Sequence, residues 1–238
     1  MSTLRKANLN QVLHSRLVFW AFLILLLLWP AQQVNADEIA IWNFNDSDLA
    51  IDHGTGMLTT NFNLANVLFT SAGTSTNARQ GDVAGQSMTL QGGTSNANNG
   101  RTINLNVSTI GLSSIVVSFA TLRTSTGFNN NQFQYSLDGV DFVNFGAPYI
   151  PPLTFGLVMF DLSSIAGVND NPNAAFRIVF NGATSSSGNN RIDNLVVEGQ
   201  NIATPVPEPT SIMLLSLGLT GTLAARFKVR QKAKHRRD

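Results

Sequence analysis

Cysteine is absent from all 238 residues. That excludes a disulfide scaffold, a thiolate-ligated zinc site and a thiol nucleophile. Charge is scarce as well, at 12% of residues. Lysine occurs only at Lys6, Lys228, Lys232 and Lys234, so the stretch from Asp37 to Pro209 has none. That stretch holds five arginines against thirteen acidic side chains, a formal charge of −8. An acidic body gains nothing from counterion release on a phosphate backbone, which argues against nucleic acid as a partner. One histidine, His53, falls in the same stretch, within a polar, glycine-containing loop. No HExxH, P-loop or GxSxG pattern accompanies it. Segments of 3.6-residue period are also missing between Asp37 and Thr204, so a helical body is not expected.

The basic residues that do occur sit at the two ends. Arg5, Lys6 and Arg16 precede the apolar run Leu17–Trp29. Pro30 breaks that run, and Val34-Asn35-Ala36 places small or compact residues at the −3 and −1 positions of a cleavage site. This is the pattern of a secretory signal peptide over 1–36, cleaved between Ala36 and Asp37 after Sec export. The C-terminal end has three parts. Pro205-Val206-Pro207-Glu208-Pro209 imposes an extended backbone with few amide donors. Thr210–Ala225 carries no charge. As a helix it spans about 24 Å at 1.5 Å per residue, slightly less than the roughly 30 Å hydrocarbon core. Seven cations follow, at Arg226, Lys228, Arg230, Lys232, Lys234, Arg236 and Arg237. Cations placed after an apolar span hold the tail (226–238) in the cytoplasm and the body outside. Snorkelling basic stems and Phe227 ease the short span.

Pro207-Glu208-Pro209, an apolar helix containing Gly218 and Gly221, and a basic tail together resemble the PEP-CTERM sorting signal. The resemblance covers residues 205–238 and is carried by order, spacing and charge. It implies that Pro207, Glu208 and Pro209 are recognised by exosortase, a membrane-embedded transpeptidase. It also implies an inner-membrane intermediate, passage of the body to the cell surface or extracellular matrix, and an association with exopolysaccharide. The tail departs from the compact arginine cluster of the family, because Phe227 and Val229 are interleaved.

Between the two ends, residues 37–204 read as a β protein. Ile39–Phe44 opens it. Ile103, Leu105 and Val107 alternate with Thr102, Asn104 and Asn106. Phe133, Tyr135 and Leu137 alternate with Gln132, Gln134 and Ser136, and Phe176, Ile178 and Phe180 with Arg177 and Val179. That is the period of half-buried strands. Ile115–Leu122 is more continuously apolar and reads as a central strand buried on both faces. Phe142–Phe145, Leu157–Phe160 and Arg191–Glu198 complete the set. Asp138-Gly139 reads as a type I′ hairpin turn. Pro148, Pro151 and Pro152 mark a crossing connection, and Asp161–Ile165 one helical turn. Residues 45–100 leave room for two or three strands of an outer sheet. The expected fold is a mainly β, jelly-roll β-sandwich ectodomain. YSLDGVDF, FDLSSI, FRIVFNG and NNRIDNLVVEG are also similar to jelly-roll ectodomains that carry this sorting signal. Those resemble carbohydrate-binding modules in outline.

A search for chemistry finds no catalytic constellation. Asp138 and Asp141 are explained by a turn, Asp161 by a cap, and Asp170 lies in a loop. Asp46, Asp48 and Asp52 are close in sequence, and clustered oxygens suit calcium. Asp193, near the start of the last strand, is the candidate for a structural calcium that ties the first strand to the last. The favoured alternative has Asp193 paired with Arg191 or Arg177, or accepting backbone amides. Arg177 and Arg191 are expected to meet the abundant acids. Trp42 is expected in the core. Tyr149, in a proline-rich loop, is the best exposed aromatic and the expected ligand contact. The reading is therefore an exported, non-catalytic surface or matrix protein without a required cofactor. A glycan-active hydrolase with the same tail, or a purely structural or adhesive sandwich, are the alternatives.

Overall fold

Alternation of large apolar and short polar side chains turns each run into a strand with one face in the core. In the computed structural model, residues Ala36–Ile202 are described. Strands β1 (Ala36–Trp42), β2 (His53–Gly54), β3 (Met57–Thr60), β4 (Val67–Ala72), β5 (Gln86–Gln91) and β6 (Arg101–Asn106) fill its first half. Strands β7 (Leu112–Arg123), β8 (Gln132–Ser136), β9 (Val143–Asn144), β10 (Gly156–Asp161), β11 (Ala175–Phe180) and β12 (Asn189–Asn201) fill the second. Of the expected leader over 1–36 only Ala36, the first residue of β1, is described; the rest of it, the Pro207-Glu208-Pro209 motif, the 210–225 span and the basic tail lie outside the described residues. Among the described residues no helix is long and apolar enough to cross a membrane.

The strands form two antiparallel sheets. The first runs β10-β7-β12-β1-β2, with β5 also on β12 and β4 on β5. The second runs β3-β6-β11-β8-β9. Between them lie the fully buried Trp42, Phe44, Phe119, Phe128, Phe133, Phe176 and Phe180. Each side chain of this size contributes roughly 1.5–3 kcal/mol on burial. Phe133 of the second sheet stacks on Phe160 of the first at a centroid distance of 3.9 Å. The expected central strand is β7, which lies between β10 and β12.

Strand β12 organises the first sheet. Its residues Asn189–Ile192 pair with β5, and its residues from Leu195 on pair with β1. The partner changes at Asp193-Asn194, where the register against β7 also slips. Asn194 takes a φ of 47° there, which a short polar side chain tolerates.

Three local expectations are corrected. Asp138-Gly139 does not form a two-residue hairpin, because Tyr135 pairs with Val143 and leaves a longer loop. Only Gly139 has positive φ, at 78°, whereas a type I′ turn needs two such residues. The turn expected over Asp161–Ile165 is a single backbone turn rather than a helical one, closed by the Ile165 amide on the Leu162 carbonyl with Asp161 accepting the Ser163 amide; the 3₁₀ turn comes later, at Ala166–Val168. Residues 45–100 hold four strands, and β3 joins the second sheet.

Candidate functional site

Strands β3, β6, β8 and β11 alternate core residues with polar ones, so the polar set shares the outward face of the second sheet. Register aligns that set. Thr59 faces Asn104, Asn104 faces Arg177, Arg177 faces Gln134, and Gln134 faces Asn144. One row of five polar side chains therefore crosses all five strands. At roughly 4.8 Å per strand spacing the row is about 19 Å long. Gln134 Nε2 donates to Asn144 Oδ1 at 2.8 Å, and Arg177 Nε to Asn104 Oδ1 at 2.7 Å. Four of the five side chains are thus joined in two pairs, Asn104 with Arg177 and Gln134 with Asn144.

Arg177 is the charged member. Its guanidinium carbon lies 3.5 Å from the centroid of the Phe142 ring, a stacked cation–π arrangement. Burial lowers its pKa. Among the described residues no carboxylate forms an ion pair with it; the two salt bridges both belong to Arg79, with Glu38 and Glu198. The expectation that Arg177 and Arg191 meet the acids is thus corrected. The acids of the strands lie in the first sheet, at Asp37, Glu38, Asp161, Asp193 and Glu198, and the strands of the second sheet contain none.

An open crevice of about 320 Å³ lies beyond the row, at the end of the second sheet where β6 and β8 end and β3 and β11 begin. Asn106, Ser108, Asp138 and Asn173 supply its polar lining. Asp138 is committed to the turn: its Oδ1 accepts the amides of Asp141 and Val140 and the Ser136 hydroxyl. These bonds hold its carboxyl below the usual range. Asp161 is likewise held down by the Ser163 hydroxyl and amide. Carboxylates stabilised in this way are poor proton donors near neutral pH.

The residues expected to matter are distributed differently. Tyr149 is half-buried, not free. Its ring packs on Phe160 at 5.6 Å and Phe119 at 6.4 Å, and burial raises the phenol's pKa. The strand-like bridge between Asn131 and Tyr149 draws this loop onto the sandwich. Trp42 is fully buried, as expected of core. His53 is exposed on β2.

Asp193 is buried. It accepts the Thr74 amide at 2.6 Å and the Asn194 amide at 2.9 Å. The backbone-amide reading of Asp193 describes these contacts, and neither Arg191 nor Arg177 takes part. Asp48 accepts the Ala50 amide and Asp52 the Asn43 amide. Among the described residues no three acidic or histidine side chains are grouped to hold a metal ion. Asp37 pairs with Gly199 at the start of β1, beside Ala36.

The outward row escaped the sequence reading, although its signal was present. Asn104, Gln134 and Arg177 were visible as the polar halves of three alternating runs. Their shared row needs the strand order β6-β11-β8, which no local pattern supplies.

Residues 205–231 match the PEP-CTERM protein-sorting motif family. The chain thus carries the motif of exosortase-sorted exported proteins. Among curated proteins, none matches the chain. Solved structures show likenesses of outline. The CBM22-1 xylan-binding domain of Paenibacillus barcinonensis Xyn10C is 12% identical, covering 72% of this chain and 99% of that one at a TM-score of 0.44. Domain 4 of AbnA, a GH43 extracellular arabinanase from Geobacillus stearothermophilus, is 13% identical, covering 71% and 95% at a TM-score of 0.41. The K3 cleaved adhesin domain of Lys-gingipain from Porphyromonas gingivalis is 9% identical, covering 69% and 99% at a TM-score of 0.42. Likeness of outline carries no ligand from those proteins to this chain.

Proposed function

We propose that this chain is an exported, non-catalytic cell-surface or extracellular-matrix protein whose sandwich binds exopolysaccharide on the outward face of the second sheet. The sorting motif at 205–231 supports delivery to the surface through exosortase. Export by the Sec machinery and an inner-membrane intermediate with a cytoplasmic basic tail belong to the same reading.

The observation that carries the binding assignment is the row Thr59, Asn104, Arg177, Gln134 and Asn144, four of whose side chains are joined in two hydrogen-bonded pairs. Sugars are recognised by planar amides and guanidinium groups that match paired hydroxyls, and hydrogen bonds made by pre-oriented groups lose little entropy on binding. The row offers such groups along about 19 Å, the reach of a short oligosaccharide. A non-catalytic role is supported by the carboxylates beside the crevice and at the end of β10, which serve turns.

The test is a glycan array probed with the full chain in detergent. Binding to at least one glycan is expected, and Asn104→Ala and Gln134→Ala should each weaken it about tenfold. If no glycan binds, or if both variants bind like the parent, the assignment fails.

A further inference from the structure

We propose that the outward face of the second sheet selects an acidic polysaccharide, with a hexuronate carboxylate seated on the guanidinium of Arg177. This rests on the carbohydrate-binding reading and narrows its ligand class. Three observations carry it.

The first is charge segregation. The body is acidic, yet the five strands β3, β6, β8, β9 and β11 contain two arginines and no acid. The nearest acids in sequence, Asp138 and Asp141, lie in the loop between β8 and β9, and Asp138 is turned into that loop by three hydrogen bonds. A polyanion repelled by the first sheet meets no fixed negative charge on the strands of the second.

The second is the state of Arg177. Its Nε is occupied by Asn104 and its plane by Phe142. Among the described residues its two terminal nitrogens have no hydrogen-bond partner, and no carboxylate neutralises it. Those nitrogens are not among the buried polar atoms left unpaired, so they are open to a ligand from solution. A carboxylate engages them with two parallel N–H···O bonds, which the planar fork suits better than an ammonium does.

The third is position. Arg177 occupies the middle of the row, with Asn104 and Thr59 on one side and Gln134 and Asn144 on the other. A carboxylate held there leaves the sugars on both sides against neutral amide and hydroxyl groups. A uronate chain, with a carboxylate and free hydroxyls on each sugar, can set one carboxylate on Arg177 and offer hydroxyls to the neutral groups on either side.

The experiment uses the full chain in detergent at about 0.15 M ionic strength, where long-range repulsion from the acidic body is screened. The probes are alginate and polygalacturonate, each as the free acid and as its methyl ester, followed by calorimetry. At least one free acid should bind about tenfold more tightly than its ester. Arg177→Gln should abolish that preference while the melting temperature stays near that of the parent, and Arg177→Lys should recover only part of it. Equal binding of acids and esters overturns the proposal, as does failure of both acids while neutral glycans bind. In either case, glycan binding that still weakens in Asn104→Ala and Gln134→Ala leaves the carbohydrate reading standing. Absence of binding to every glycan removes both.

Discussion

The Thr74 amide donates to Oδ2 of Asp193 at 2.6 Å, a contact between residues 119 positions apart. Asp193 and Asn194 occupy the point where β12 exchanges β5 for β1. Asn194 Nδ2 donates to the carbonyls of Thr74 and Thr76, and Asn77 Nδ2 to the carbonyl of Asn194. The segment 73–79 is thereby pinned to the outer side of the first sheet, where Asn77 also donates to Ser118. Arg79 completes the clamp between Glu38 and Glu198. This polar cover explains how Ala120 and Val196 are fully buried on a face turned away from the core.

Stability should fall as pH rises from about 4 to about 7. Burial raises the Asp193 pKa from 3.8 to about 7, against the opposing pull of the Thr74 and Asn194 amides. In that window the folded carboxyl holds a proton that the unfolded one has lost. The favourable contribution is complete below the unfolded pKa and gone above the folded one. Urea midpoints measured at pH 5 and pH 8 should differ in that direction for the parent. Asp193→Asn should flatten the difference and cost roughly 1–3 kcal/mol. A parent midpoint that rises with pH would contradict the assignment.

Gly73→Ala should destabilise the clamp. An added Cβ would run into the Ala84 and Gln86 carbonyls and Asp193 Oδ2. Two of these are backbone atoms and the third is held by the Thr74 amide, so relief needs the loop to shift. A loss of roughly 1–3 kcal/mol is expected. A melting temperature equal to the parent's would show that the loop does not pack as described.

Trp42→Ala should cost roughly 3–5 kcal/mol. The side chain is fully buried beside Gly56. A near-neutral result in denaturant titration would place the ring at the surface and reopen its use as a sugar platform.

Glu208→Ala tests the sorting motif without touching the sandwich. In a host with exosortase, the longer form should accumulate in the membrane fraction if, as proposed, the apolar span and basic tail anchor it. Release at the parent rate would reduce the C-terminal segment to a plain anchor.

Local pattern was enough for the strands whose two faces differ. Ile103 and Leu105, Phe133 and Tyr135, and Phe176 and Ile178 each announced a strand, and β6, β8 and β11 stand there. The strands of residues 45–100 were less legible. Strand β2 is two residues long, and β4 pairs only with β5; such edges need few apolar residues and leave a faint period.

The sorting motif was fully written in the chain because its information is linear. A Pro-Glu-Pro segment, an apolar run and a basic tail are read in order along the sequence. The alternation of polar and apolar residues likewise announced the mainly β sandwich that the described residues form. Tertiary structure decided what its surfaces carry. Nothing near Arg177 in sequence says that Asn104 and Gln134, 73 and 43 residues away, will flank it. Nothing near Asp193 says that Thr74 will meet it. Strand order and register are set by how the core packs and how loops close, and they bring together side chains whose separation along the chain carries no trace of the contact.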